Sequence, residues 1–136
     1  NIEVDDKHKQ LDKAQNLIDE IQKKNSEESE IYALQALVYQ LRITDMSKGA
    51  KYSMKALSAI AEAEKLNPEN PRVYYLRGSN TLHTPKFFGG GADKAHPDLE
   101  KAARMFESQK QEDALMPSWG NYHNKQLLDQ CIKQEE

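Results

Sequence analysis

The chain repeats itself. The segment Asn25-Ser26-Glu27-Glu28-Ser29-Glu30-Ile31-Tyr32-Ala33-Leu34 returns 42 residues later as Asn67-Pro68-Glu69-Asn70-Pro71-Arg72-Val73-Tyr74-Tyr75-Leu76. In the same register Ala36 falls opposite Gly78, and Ala14, Ile18 and Ile21 fall opposite Ala56, Ile60 and Ala63. A weaker third copy follows as Ala102 and Phe106, then Pro117 and Trp119. Self-similarity at this period marks stacked supersecondary units, each unable to bury its apolar stripe without a neighbour.

Each unit reads as helix, turn, helix. Apolar residues Leu11, Ala14, Leu17, Ile18 and Ile21 recur at three- and four-residue steps, which gives a first helix over 4–24 with one buried stripe. A second is expected over 26–42 with Ser26 as its cap, and a third over 47–66 with the stripe Tyr52, Ala56, Ile60, Ala63. Asn70-Pro71 opens the fourth, since Asn suits the cap and Pro the first turn. That helix ends near His83, before Thr84-Pro85. A fifth is expected over 93–110, with Pro97 in its first turn, and a sixth from Met116-Pro117 towards Ile132. Segments 43–49 and 85–92 are the loops. Strand-like alternation is absent, so the fold class is all-α with about six helices. The small residues Ala14, Ala36, Ala56, Gly78 and Ala102 belong where helices approach closely.

Composition narrows the function. The chain has 136 residues, 30% charged, with a formal net charge of -3 and the two signs interleaved. It lacks the basic footprint that nucleic acid requires, so no nucleic-acid partner is expected. No apolar run approaches the roughly 18 residues of a membrane span. A single cysteine, Cys131, excludes an internal disulfide and a four-cysteine zinc site.

The repeat resembles the tetratricopeptide repeat (TPR) family. Tyr32, Ala36 and Tyr39 fit the first-helix pattern of one repeat, and Tyr74 and Gly78 fit the next, where Thr81 replaces the expected aromatic. Ala56, Ile60, Ala63 and Pro68 fit a second helix; Ala14, Ile18 and Ile21 fit less well, with Ser26 where proline is expected. In the last copy Ala102 and Phe106 fit but Gln109 breaks the pattern. The resemblance implies antiparallel hairpins stacked as a right-handed superhelical array. It is one domain over 1–136 with approximate repeats 4–42, 47–83 and 93–134. Because the first helix matches a second helix of a repeat, the chain is expected to be a fragment of a longer array. The run Pro85-Lys86-Phe87-Phe88-Gly89-Gly90-Gly91 also looks like a loop of exported bacterial TPR proteins, including a component associated with periplasmic transporters. That likeness implies a periplasmic or otherwise exported location, with the cytoplasm as the alternative.

The family binds along a concave groove lined by the first helix of each repeat. Carried over by position, this implies Glu30, Ala33, Leu37 and Gln40 on the second helix, and Arg72, Tyr75, Ser79 and His83 on the fourth. Asn121 and Lys125 are weaker extensions on the sixth. Tyr75 would anchor a peptide and Arg72 would contact a carboxylate, as hot-spot residue types do. The Lys-Asn carboxylate clamp of some chaperone-binding members is absent, because Ala33, Leu37, Tyr75 and Ser79 hold the matching positions. The glycine run lacks the Gly-Lys-Ser/Thr ending of a phosphate-binding loop and reads as a turn. Phe87 and Phe88 are expected to pin it down; if one of them is exposed, the loop itself is a contact surface made of Phe87, Phe88, Gly89 and Gly90.

No cofactor or resident metal is expected. His83, His96, Asp93 and Glu100 allow a metal site to be drawn, but no two histidines share an i, i+4 face. Cys131 and His123 lie eight residues apart on one helix, roughly 12 Å of rise, and cannot form a nucleophile–base pair. Trp119 is expected to pack on the fifth helix. The functional expectation is a non-catalytic module binding a protein or peptide. The alternative is a small-molecule-binding component of an exported transport or uptake system, with a cavity reached from beside segment 85–91.

Overall fold

The structure is a computed structural model and describes residues 2–109 and 117–135. Among these it is all-α: α1 (Ile2–Lys24), α2 (Ser29–Leu41), α3 (Met46–Leu66), α4 (Pro71–His83), α5 (Ala92–Gln109) and α6 (Asn121–Glu135). A single 3-10 turn, Lys86–Phe88, interrupts the loop between α4 and α5. The expected start of α6 at Met116 lies outside the described residues; Pro117 precedes the helix by four positions.

The chain divides into two compact units, Asn1–Pro68 and Glu69–Glu136. In the first, α2 packs on α3 and on α1. Leu11 and Ile18 of α1 meet Ile31 and Val38 of α2, with Ala14 and Leu34 beside them. The α1 stripe is narrower than its sequence pattern implies: Leu17 is 60% and Ile21 42% exposed, beyond the face that α2 covers. Ala33 and Ala36 of α2, and Ala56 and Ala63 of α3, are fully buried, so these helices approach on alanines. Gln15 and Gln35 exchange amide hydrogen bonds of 2.6 and 2.7 Å between α1 and α2, which satisfies the buried Gln35. Ser29 Oγ donates 2.7 Å to the Ala63 carbonyl in the last turn of α3, ending one helix with the start of another.

Local caps set the boundaries. Glu28, not Ser26, caps α2, accepting from the Glu30 amide at 3.3 Å. Asp45 caps α3 by accepting from the Lys48 amide at 3.1 Å, and the Ser47 hydroxyl beside it holds the carboxyl below its usual value. Asn70 caps α4 through the Arg72 amide at 3.1 Å, with Pro71 in the first helical position as its sequence indicates.

In the second unit α4 packs on α5 and α6, and α5 on α6. Val73, Leu76, Leu99 and Ala102 are completely buried, and Phe106, Leu127 and Cys131 close the same core. Each fully buried leucine contributes roughly 1.5–3 kcal/mol. Gly78 is where α4 and α5 come closest: a Cβ there would stand 2.6 Å from Leu99 Cγ and Cδ2. Asn124 Nδ2 donates 2.9 Å to the Leu99 carbonyl. That carbonyl is the one whose helical partner would normally be residue 103, four positions on. Pro97 sits six residues into α5, past the expected first turn; without an amide it cannot bond back to the Asp93 carbonyl.

Candidate functional site

Unit 1 carries an open groove of ≈ 410 Å³ between its three helices. Gln22 comes from α1, Tyr32, Gln35 and Tyr39 from α2, and Lys55, Ser58, Ala59 and Glu62 from α3. Tyr32 and Tyr39 share a face of α2 because they are seven residues, about two turns, apart. The Tyr32 hydroxyl donates 3.2 Å to the Ser26 carbonyl. Tyr39 stacks with Tyr52 of α3 at a centroid distance of 6.2 Å and an angle of 29°. Lys55 Nζ lies 5.6 Å from the Tyr39 ring and 5.8 Å from the Tyr52 ring, while Lys51 Nζ lies 5.5 Å from Tyr52. Two cations over a tyrosine pair make this wall suited to a flat or anionic ligand.

This groove is not the one expected from position. Ala33 is fully buried between helices and has no surface to offer, and Glu30, Leu37 and Gln40 are half-buried on a different face of α2 from Tyr32 and Tyr39. The repeat signature assigns Tyr32 and Tyr39 to packing, which hid them; their coincidence with Tyr52, Lys51 and Lys55 was the available signal.

Unit 2 holds a second cluster. Tyr75 is 4% exposed, so it is not an open anchor. Trp119 meets it edge-on at 6.3 Å, His123 meets it at 5.6 Å, and its hydroxyl lies 2.7 Å from His123 Nδ1. Gly120 takes φ +100 directly over the ring, where a Cβ would come within 3.1 Å of Tyr75 Cδ2. Burial pushes the Tyr75 phenol up from 10.0, so it keeps its proton beside the imidazole. Burial pulls His123 below its usual value, and the nearby His83 charge adds to this.

Arg72 is likewise interior, at 5% exposure. Its guanidinium lies 5.4 Å from the Phe106 ring and 5.2 Å from Trp119, and Nη2 donates to the Pro117 carbonyl. It holds the start of the α6 segment against α4 instead of meeting a ligand carboxylate. Ser79 is buried too. Trp119 therefore packs on Tyr75 and Arg72 of α4. Of the four residues expected on α4, only His83 is exposed. Its Nδ1 lies 2.8 Å from the Ser79 carbonyl. On α6, Asn121 is half-buried and Lys125 exposed.

The loop after α4 is held tightly by its backbone. Gly89 N donates to Lys86 O at 3.0 Å, Gly90 N to Pro85 O at 3.1 Å and Gly91 N to Thr81 O at 3.0 Å. Gly89 and Gly91 have φ of 91° and 113°, and a Cβ on Gly90 would collide with the Thr84 carbonyl oxygen. The expectation that Phe87 and Phe88 pin this loop down is overturned: they are 81% and 73% exposed and meet each other at a centroid distance of 4.4 Å with a tilt of 43°. The backbone hydrogen bonds fix the loop without them.

The other candidate groups separate. His96 pairs with Glu135 at 2.9 Å and Glu100 at 3.7 Å, away from His83 in its contacts. Among the described residues no three His, Cys, Asp or Glu side chains converge as a metal cage, and no helix is long and apolar enough to cross a membrane. Cys131 is fully buried, and burial, reinforced by Glu135, pushes its thiol up.

No protein-family profile and no curated protein sequence matches the chain, so the tetratricopeptide likeness rests on the residues quoted above. A solved structure does match. The chain is similar to the HusA haemophore from Porphyromonas gingivalis, at a TM-score of 0.85 and 27% sequence identity, over 98% of this chain and 68% of that one.

Proposed function

We propose that this protein is a non-catalytic carrier of a haem-type ligand, acting in an exported uptake system. The likeness to a haemophore over nearly its whole length carries the reading. It moves the weight from the peptide-binding scaffold to the small-molecule alternative. The chemistry of the two units is compatible. A haem presents a flat apolar ring, an edge with two carboxylates, and an iron whose protein ligands include imidazole and phenolate oxygen. The chain offers a half-buried tyrosine pair with a lysine over it, an exposed phenylalanine pair and an exposed imidazole. An exported location follows from the same reading.

An absorbance titration of purified protein with ferric haem tests it. The expected result is a saturable change with a defined stoichiometry at micromolar concentrations or below. A linear, unsaturable response matching that of an unrelated helical protein rejects the reading. A second reading keeps one specific support: the unit 1 groove mixes Gln22 and Glu62 with two tyrosines, a lining able to hydrogen-bond an extended peptide. Capture of a peptide that is lost in Tyr39→Ala, together with failure of the haem titration, favours that second reading.

A further inference from the structure

The groove of unit 1 carries opposite charges along one wall. Lys55 and Glu62 both line it from α3, seven residues and so about 10.5 Å of helix apart. Residues at that spacing share a helix face, so the ammonium and the carboxylate open into the same trough. Two rings hold the ammonium: Lys55 Nζ lies 5.6 Å from the Tyr39 ring and 5.8 Å from the Tyr52 ring, within cation–π reach. Lys51, one turn earlier on α3, adds a second cation 5.5 Å from Tyr52 and reinforces the positive end.

Neither charge is answered inside the protein. Among the described residues no ion pair engages Lys55 or Glu62, and no hydrogen bond engages the side chains of Gln22 and Ser58, which line the same groove. Other polar groups of the lining are satisfied: Gln35 is held by Gln15, and the Tyr32 hydroxyl by the Ser26 carbonyl. Ion pairs along a helix form at spacings of three or four residues, so Lys55 and Glu62 stand too far apart to neutralise each other. A ligand with a charge at each end spans that gap.

We infer that this groove binds a short zwitterionic peptide of about three residues, its terminal carboxylate on Lys55 and its terminal ammonium on Glu62. An extended chain advances about 3.3–3.6 Å per residue, so about three residues match the separation of the two charges. The groove's ≈ 410 Å³ falls in the range of small-ligand sites, roughly 300–1,000 Å³. Gln22 and Ser58 supply donors and acceptors for the peptide amides, and Tyr32 and Tyr39 offer ring faces to its side chains. Charge order selects this occupant. A ligand with a carboxylate at each end sets one of them against Glu62, and an uncharged apolar ligand desolvates both charges without pairing them. The assignment concerns unit 1 alone and does not rest on the haem-carrier reading; it gives the peptide reading of this groove a chemical identity.

The test titrates the tripeptide Ala-Phe-Ala into the full chain, beside its N-acetylated and its C-amidated forms, with heteronuclear NMR shifts as the readout. The free peptide is expected to saturate, and blocking either end to weaken it at least about five-fold. Lys55→Ala is expected to erase the penalty for amidation and keep that for acetylation; Glu62→Gln is expected to do the reverse. Lys55 is exposed and Glu62 half-buried, and a groove that merely misfolds loses all three peptides together, so the crossed pattern is specific to recognition of the ends. No saturable binding of the free peptide to wild type overturns the assignment. Equal affinity for free and blocked forms does so too, as does a penalty that survives removal of its partner charge. Ferric haem is titrated into the same proteins as a separate readout. Haem binding lost in both variants, with the three peptides bound alike, gives the groove to haem and overturns the peptide assignment. Haem failing to bind wild type removes the carrier reading alone, and the peptides decide this one.

Discussion

Gly78 shows how far a single carbon matters in unit 2. Its missing Cβ leaves 2.6 Å to the fully buried Leu99 side chain. Alanine would gain about 0.5–1 kcal/mol in helix propensity, but overpacking costs about 1–3 kcal/mol. Gly78→Ala is therefore expected to lower the unfolding free energy in urea, and an unchanged or raised value would show that Leu99 moves aside freely. His123 carries a pH prediction. Its folded value lies below the ordinary 6.5, so the unfolded chain binds the proton more readily. The stability of unit 2 is then full above about 6.5 and falls as the pH drops through the folded value. Urea midpoints at pH 7.5 and 5 should differ more in wild type than in His123→Gln; equal slopes would remove the effect from this residue. The sequence located Gly78 correctly, because a small residue recurring at a fixed offset has a steric meaning. It misplaced Tyr75 and Arg72, since a tyrosine and an arginine read the same whether a later segment covers them or not. The covering residues, Trp119 to His123, come from more than 40 positions away.

Helices were the most legible elements. Their apolar period and the Asn70-Pro71 start are local signals, and the structure has helices at all six expected places. Boundaries were less so. Ser26 is the better cap by type, yet backbone geometry selected Glu28. The α1 stripe looked wider than it is because Leu17 and Ile21 satisfy the period without meeting a partner surface. Asn70 offers the element-scale test. It is buried and its side chain satisfies the Arg72 amide, so Asn70→Ala should cost about 1 kcal/mol. Chemical denaturation measures it. A neutral result would mean that Pro71 alone sets the start of α4. The loop was legible as a loop, but the exposure of Phe87 and Phe88 was not, because nothing in the pair itself says whether glycines or aromatics hold the backbone.

For the whole molecule, the sequence supplied the all-α class and a choice between a scaffold and a small-molecule carrier, and the likeness to a haemophore favours the carrier. The expectation of one cooperative domain over 1–136 remains a proposal. It predicts a single unfolding transition followed by both Trp119 fluorescence and far-ultraviolet dichroism. Two separated transitions would assign independent stability to Asn1–Pro68 and Glu69–Glu136. The central claim is that the folded chain binds haem, and linkage tests it wherever on the chain the ligand sits. Ligand that binds only the native state raises its stability, by about 2.7 kcal/mol at a hundred times Kd. The measurement is urea unfolding of the 136-residue chain with and without excess ferric haem. The account predicts a midpoint that climbs steadily with haem concentration. A midpoint that stays put across that range would contradict it.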